Sequence, residues 1–331
     1  MKCRRCKDPA IIELRRHNTA FCSPCFLRYV HEQVRRAVED FEMFQPSERI
    51  LVAVSGGKDS LGLWDLLLGL GYAADGLYIG LGIGEADEPG GGYSHSSGDY
   101  ARRFAADRGA HLVEIDVPAS YGFDVPTGAA AARRVPCSAC GLTKRHLFNR
   151  AALDGGYDVM ATGHNLDDEA AVLFGNTLRW NVEYLGRQLP VLPGGNGFVR
   201  KVKPLVRLTE RELAAYCVVR GIDYIVEECP MAAGNRHLGY KETLNTIEAA
   251  SPGAKQAFYH GFLTNASELF RPHAAAEQEG GLESCQRCGA PTTGEVCAFC
   301  ALVARATDPD RVAAVRLGAT RRAASGAGGK R

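Results

Sequence analysis

The 331-residue chain has no apolar run approaching the roughly 18–20 residues that a membrane span requires. Its opening segment, Met1-Lys2-Cys3-Arg4-Arg5-Cys6, lacks the apolar core of a secretory signal. These absences predict a cytoplasmic chain without a membrane partner. An excess of charge is missing too: the formal net charge is +1, so any nucleic-acid-binding surface must be a local cluster of Lys and Arg. No Walker A loop, G-x-x-x-x-G-K-[ST], is present.

What the chain has in quantity is cysteine. In a reducing compartment its twelve cysteines read as metal ligands or reactive thiols before disulfides. Eight lie near the two ends, as Cys3-x-x-Cys6 with Cys22-x-x-Cys25 and Cys285-x-x-Cys288 with Cys297-x-x-Cys300. Paired knuckles of this spacing supply four thiolates to a tetrahedral Zn2+ in a closed structural site. Each set predicts one zinc ion holding a module too small to fold alone; a redox dithiol is the alternative.

Between the ends, apolar strands alternate with helices. Strands are expected at 49–54, 75–81, 111–117 and 158–162, and helices at 61–70, 99–108, 138–153 and 166–178. That alternation predicts an α/β fold, a doubly wound parallel sheet with helices on both faces. Ligands then sit at the carboxyl ends of the strands. Thr209 with Glu212 forms a capping box opening a helix that Gly221 closes. Further helices are expected at 238–250 and 254–269, and mobile glycine-rich loops at 88–92 and 192–197. The predicted domains are an N-terminal zinc finger (1–30), a catalytic body (31–270), a C-terminal zinc ribbon (271–317) and a disordered basic tail (318–331).

Ser55-Gly56-Gly57-Lys58-Asp59-Ser60 lies directly between a buried strand and an apolar helix. Backbone N–H groups converge at such a junction and the helix dipole favours an anion. Gly56 and Gly57 allow close approach, Lys58 adds positive charge, and Ser55 and Ser60 add hydroxyls. The segment resembles the pyrophosphate loop of the N-type ATP pyrophosphatases, which split ATP between its α and β phosphates. Thr162-Gly163-His164-Asn165-Leu166-Asp167-Asp168 ends another strand, so Gly163 can lie against the same nucleotide. Asp167 and Asp168 fall in the first turn of the next helix. One is expected to act as a general base or magnesium partner, the other as a cap. His164 is expected to be catalytic or bonded to backbone.

Cys137, Cys140 and Cys229 belong to neither terminal set. The first two lie at a helix start, which is expected to promote thiolate character. Lys144, four residues past Cys140, shares its face if both are helical. Three readings stay open: an iron–sulfur cluster with one iron free for a sulfur species, a persulfide carrier with a resolving thiol, or an incomplete zinc site. Cys217 is expected to pack as a small hydrophobe.

The two terminal sets, residues 52–60, Cys137-Ser138-Ala139-Cys140-Gly141-Leu142, 162–169, Glu228-Cys229-Pro230 and Pro291-Thr292-Thr293-Gly294 occur in one order. In this the chain resembles the TtuA-type tRNA 2-thiouridine synthetases over nearly its whole length. The resemblance implies that Cys137, Cys140 and Cys229 ligate a [4Fe–4S] cluster. It implies that Ala53, Val54, Ser55, Gly56, Gly57, Lys58, Asp59, Ser60, Ile79, Lys144 and Gly163 contact ATP, with Lys144 and Asp168 as the catalytic pair. It further implies a tRNA substrate modified at 5-methyluridine 54, a ubiquitin-like sulfur carrier or sulfide as donor, and a homodimer. On this hypothesis ATP with Mg2+ activates the uridine C2 oxygen and sulfur displaces AMP, with Lys58 and Lys144 stabilising charge at the α-phosphate. Rival expectations are thiolation of wobble uridine 34 or cytidine 32, and a non-catalytic zinc-ribbon RNA-binding or redox-sensing protein.

Overall fold

The computed structural model describes residues 1–84, 92–232, 236–276, 281–315 and 317. The expected loop at 88–92 lies outside them but for Gly92, as does the basic tail.

Five parallel strands and one antiparallel edge strand form the central sheet. Their spatial order is Leu112–Asp116, Ala74–Gly80, Ile50–Val54, Val159–Ala161, Arg200–Val202 and Val191–Leu192. Chain order therefore reverses between Ile50–Val54 and Val159–Ala161, and the crevice beyond their carboxyl ends is where such a sheet receives a ligand. The expected strands at 49–54, 75–81, 111–117 and 158–162 are all present.

Alternate strand residues enter two separate cores. Ile50, Val52, Val54, Val159 and Val202 pack with the helices Ser23–Asp40, Lys58–Gly69 and Glu210–Arg220. Leu51, Leu77, Ile79, Met160 and Val199 pack with Val125–Ala131, Pro136–Asp154 and Ala298–Ala306. The N-terminal cysteines Cys3, Cys22 and Cys25 belong to the first core, and Cys285, Cys297 and Cys300 to the second. Cys25 stands on the helix Ser23–Asp40, which runs without a break into the body. The N-terminal module is further pinned by a buried ion pair, Arg16 to Glu212 at 2.6 Å, with Tyr29 Oη donating to the same carboxylate.

Two expectations are corrected. Residues 254–269 form two helices, Ala254–Asn265 and Ser267–Ala276, because Ala266 leaves the helical range with φ −129°. Residues 192–197 are a hairpin turn and not an open loop: Leu192 pairs with Lys201, and Gly195 and Phe198 exchange hydrogen bonds. The capping box of Thr209 with Glu212, and Gly221 as helix stop, are as expected.

On the helix Lys58–Gly69 the buried acid Asp65 accepts hydrogen bonds from Arg108, Arg220 and Tyr216. Burial acts to raise its pKa, but the bonds from Arg220, Tyr216 and Arg108 outweigh it and hold the carboxyl below its usual range. A depressed folded pKa gives stability that is present above the unfolded value near 4 and is lost as pH falls through the folded one. Asp65→Ala should cost about 3 kcal/mol, the low end for a broken buried pair because both arginines reach solvent. Urea unfolding at neutral pH measures the loss; an unchanged midpoint would refute it.

Candidate active site

Residues 55–60 leave the strand Ile50–Val54 and enter the helix Lys58–Gly69, with Gly57 as N-cap. The loop is braced from within: Ser55 N–H donates to Ser60 Oγ at 3.1 Å, and that hydroxyl donates to the Gly57 carbonyl at 2.9 Å. Gly56 has φ +76°, and a Cβ there would lie 2.3 Å from the Ser97 carbonyl oxygen. Gly163 lies so close that a Cβ would stand 3.0 Å from Asp59 C and Ser60 N. Both glycines are thus required by contact between backbones.

A cavity of about 350 Å³ fills the crevice beyond the strand ends. Of the expected nucleotide contacts, Ala53, Val54, Ser55, Asp59, Ser60, Ile79, Lys144 and Gly163 line it, together with His164, Cys140 and Cys229. Gly56, Gly57 and Lys58 do not line it. His164 Nδ1 is within 2.9 Å of Thr162 Oγ1, a side chain where backbone was one expectation. Burial pushes Asp59 up to about 6, with the Asp168 charge adding to the rise and Lys58 opposing it.

Lys58 and Asp168 are joined in a chain of ion pairs instead. Lys58 Nζ meets Glu210 at 2.7 Å, Glu210 meets Lys241 at 3.2 Å, and Lys241 meets Asp168 at 2.6 Å. Asp168 also completes the capping box of the helix Leu166–Arg179, accepting from Asn165 N–H. The other carboxylate, Asp167, is buried against Lys255 and accepts from Glu210 N–H. No hydrogen bond or ion pair among the described residues joins Lys144 to Asp168. Glu210 and Lys241 carry no motif that would have singled them out. Tyr93 and Phe148, which complete the cavity wall, carry none either.

Cys137, Cys140 and Lys144 lie in the first half of the helix Pro136–Asp154, as their spacing predicted. Cys137 is exposed and its thiol donates to the Met231 carbonyl at 3.0 Å, beside Cys229. The expected thiolate character fails at Cys140: burial pushes its thiol up, Lys144 pulls against this, and Cys229 and Cys137 push the same way as burial. The three sulfurs therefore sense one another, yet they do not all lie within the 4.8 Å that encloses each terminal set. Three cysteines outside the terminal sets, with Cys217 buried in the first core, supply three thiolates and would leave one iron of a cube of four open, so the donor set fits a [4Fe–4S] cluster.

The terminal sets are tighter. Cys6 Sγ and Cys22 Sγ are 3.3 Å apart, and Cys288 Sγ and Cys297 Sγ 3.7 Å, with every cysteine free. Backbone N–H of Cys297 donates to Cys285 Sγ at 3.2 Å, and such bonds hold that thiol down to about 6. Four thiols in one shell, with backbone donors stabilising thiolate, are the donor set of structural zinc. Cys217 is buried in the first core, as expected.

Comparison with known proteins decides the family. The model "2-thiouridine synthetase TtuA, N-terminal LIM domain" matches residues 2–27. The tRNA-5-methyluridine(54) 2-sulfurtransferase of Thermus thermophilus is 49% identical over 300 residues, 91% of this chain and 90% of the relative. The chain belongs to that family. The Pyrococcus horikoshii member is 43% identical, over 91% of this chain and 93% of its own. Among solved structures, the U34-tRNA thiolase NcsA from Methanococcus maripaludis with its [4Fe–4S] cluster superposes with a TM-score of 0.73. It is 25% identical, covering 91% of this chain and 95% of that one. The doubly wound sheet is thus that of the 2-sulfurtransferases. Among the described residues no helix is long and apolar enough to cross a membrane.

Proposed function

We propose that this 2-sulfurtransferase activates a uridine in tRNA with ATP and replaces its C2 oxygen with sulfur, the target being position 54. The observation that carries the reading is that Ser55, Asp59 and Ser60 of the pyrophosphate-type loop, Lys144, Cys140 and Cys229 line one cavity. Position 54 is supported by the names of the relatives that are 49% and 43% identical, against 25% for the U34 thiolase.

The loop amides and the helix N-terminus hold the phosphates of ATP with Mg2+. The uridine O2 bonds to the α-phosphorus and pyrophosphate leaves; sulfur then bonds to C2 and AMP leaves. Lys144 stabilises the α-phosphoryl charge. Lys58, held back by Glu210, is positioned to turn towards the phosphates, and Asp168 moves the proton or holds the metal. A [4Fe–4S] cluster on Cys137, Cys140 and Cys229 supplies, when bound, an iron site for the incoming sulfur. Apolar Ile79, Leu81 and Phe148 keep water from the activated base. The terminal sets bind zinc. A homodimer and delivery of sulfur by a ubiquitin-like carrier accord with the family resemblance.

Cys140→Ala should keep ATP binding and lose thiolation. Anaerobically purified protein is incubated with ATP, Mg2+, sulfide and tRNA, with AMP and pyrophosphate release measured and thionucleosides mapped by mass spectrometry. Sulfur in the anticodon loop would move the target to position 34, and full activity of the variant would refute the role of the trio.

A further inference from the structure

The helix Pro136–Asp154 has a second working face. Cys140, Lys144 and Phe148 look into the nucleotide cavity, whereas Leu142, Arg145, His146 and Asn149 line another cavity of about 460 Å³. Its far walls are Lys201 on the strand Arg200–Val202, the hairpin around Phe198, and the C-terminal four-cysteine module.

Arg145 at the mouth and half-buried Lys201 are near enough for the guanidinium charge, after burial itself, to push the Lys201 ammonium down. Neither side chain makes an ion pair or hydrogen bond with any described residue. The one carboxylate in the lining, Asp154, is taken by Arg150 at 2.6 Å. Elsewhere the chain pairs its interior cations: Arg16 with Glu212, Lys203 with Glu169, Lys255 with Asp167. Two like charges in a recess without a counter-charge are unfavourable until an anion joins them. The cavity is larger than a lone phosphate needs and has aromatic walls. Phe198 is 40% exposed, and His146 lies flat on Phe299 with ring centroids 4.1 Å apart. That combination of a cationic cleft and ring faces suits a nucleic-acid strand.

We propose that this cavity receives a backbone phosphate of the tRNA, away from the nucleotide being thiolated, with Arg145 and Lys201 as its ligands. The inference rests on the proposed tRNA substrate. One helix would then hold RNA on one face and meet the activated base on the other.

The test measures equilibrium binding of unmodified tRNA to the full-length protein at several salt concentrations, for wild type, Arg145→Gln, Lys201→Met and the double variant. Losing one phosphate contact should lower the salt slope by about 0.9, which at 0.1 M salt is roughly an eightfold weaker affinity. ATP affinity should stay as in wild type, which also establishes that the variants fold. Arg145→Lys, which keeps the charge, should restore the slope.

An unchanged affinity and slope in the double variant, with wild type binding tRNA, would overturn the RNA site alone. A wild-type protein that binds no tRNA would overturn both this inference and the proposed substrate. A drop in ATP affinity with tRNA binding intact would place the anion on the nucleotide and refute the RNA assignment.

Discussion

Gly56→Ala should abolish ATP binding and, with it, thiolation, in a protein that remains folded. The left-handed φ of +76° alone costs an alanine about 1–2 kcal/mol. The larger obstacle is the Ser97 carbonyl 2.3 Å from the new Cβ, because backbone of the helix Gly92–Arg108 cannot swing aside as a side chain can. The Gly56 carbonyl also accepts from Ile225 N–H at 3.0 Å, so displacing the loop would break that tie as well. Calorimetric titration with ATP and far-UV circular dichroism measure the two halves of the expectation. Undiminished ATP binding would mean that the phosphates sit elsewhere.

Stripping metal from the N-terminal set, or replacing Cys22 with Ser, should lower the melting temperature by more than about 10 °C and blunt the transition. The reason is where the set is built in. Cys3, Cys22 and Cys25 share a core with Phe26, Val30 and Trp64, and the helix carrying Cys25 packs under the sheet as far as Val38. Loss of the metal therefore opens the main core as well as a peripheral knuckle. Differential scanning calorimetry with metal analysis checks this, and a transition indifferent to zinc content would refute it.

Much of this architecture was legible because it depends on local chemistry. Ile50-Leu51-Val52-Ala53-Val54 before two glycines and a lysine gives a strand, an anion loop and a helix start whatever surrounds them. The knuckle spacings gave the terminal sets in the same way, and the position of Lys144 on the face of Cys140 followed from helix period alone. What escaped depends on partners far apart in the chain. Asp168 could be placed in the first turn of its helix, but its pairing with Lys241 arises 73 residues on (241 − 168), where nothing in the sequence marks a lysine as special. The Cys140 thiol was misjudged because a helix start pulls a thiol down, while the burial that pushes it up is a tertiary effect. The edge strand Val191–Leu192 was too short to read beside Pro193 and Gly194.

The two four-cysteine sets buttress opposite faces of one sheet, and the faces do different work. Helix Lys58–Gly69 and the loop before it lean on the layer that contains the N-terminal set, whereas the helix of Cys137 and Cys140 leans on the layer that contains the C-terminal set. On the proposed zinc reading, a molecule without metal in the C-terminal set alone would therefore fail selectively, still gripping ATP while its sulfur side slackened.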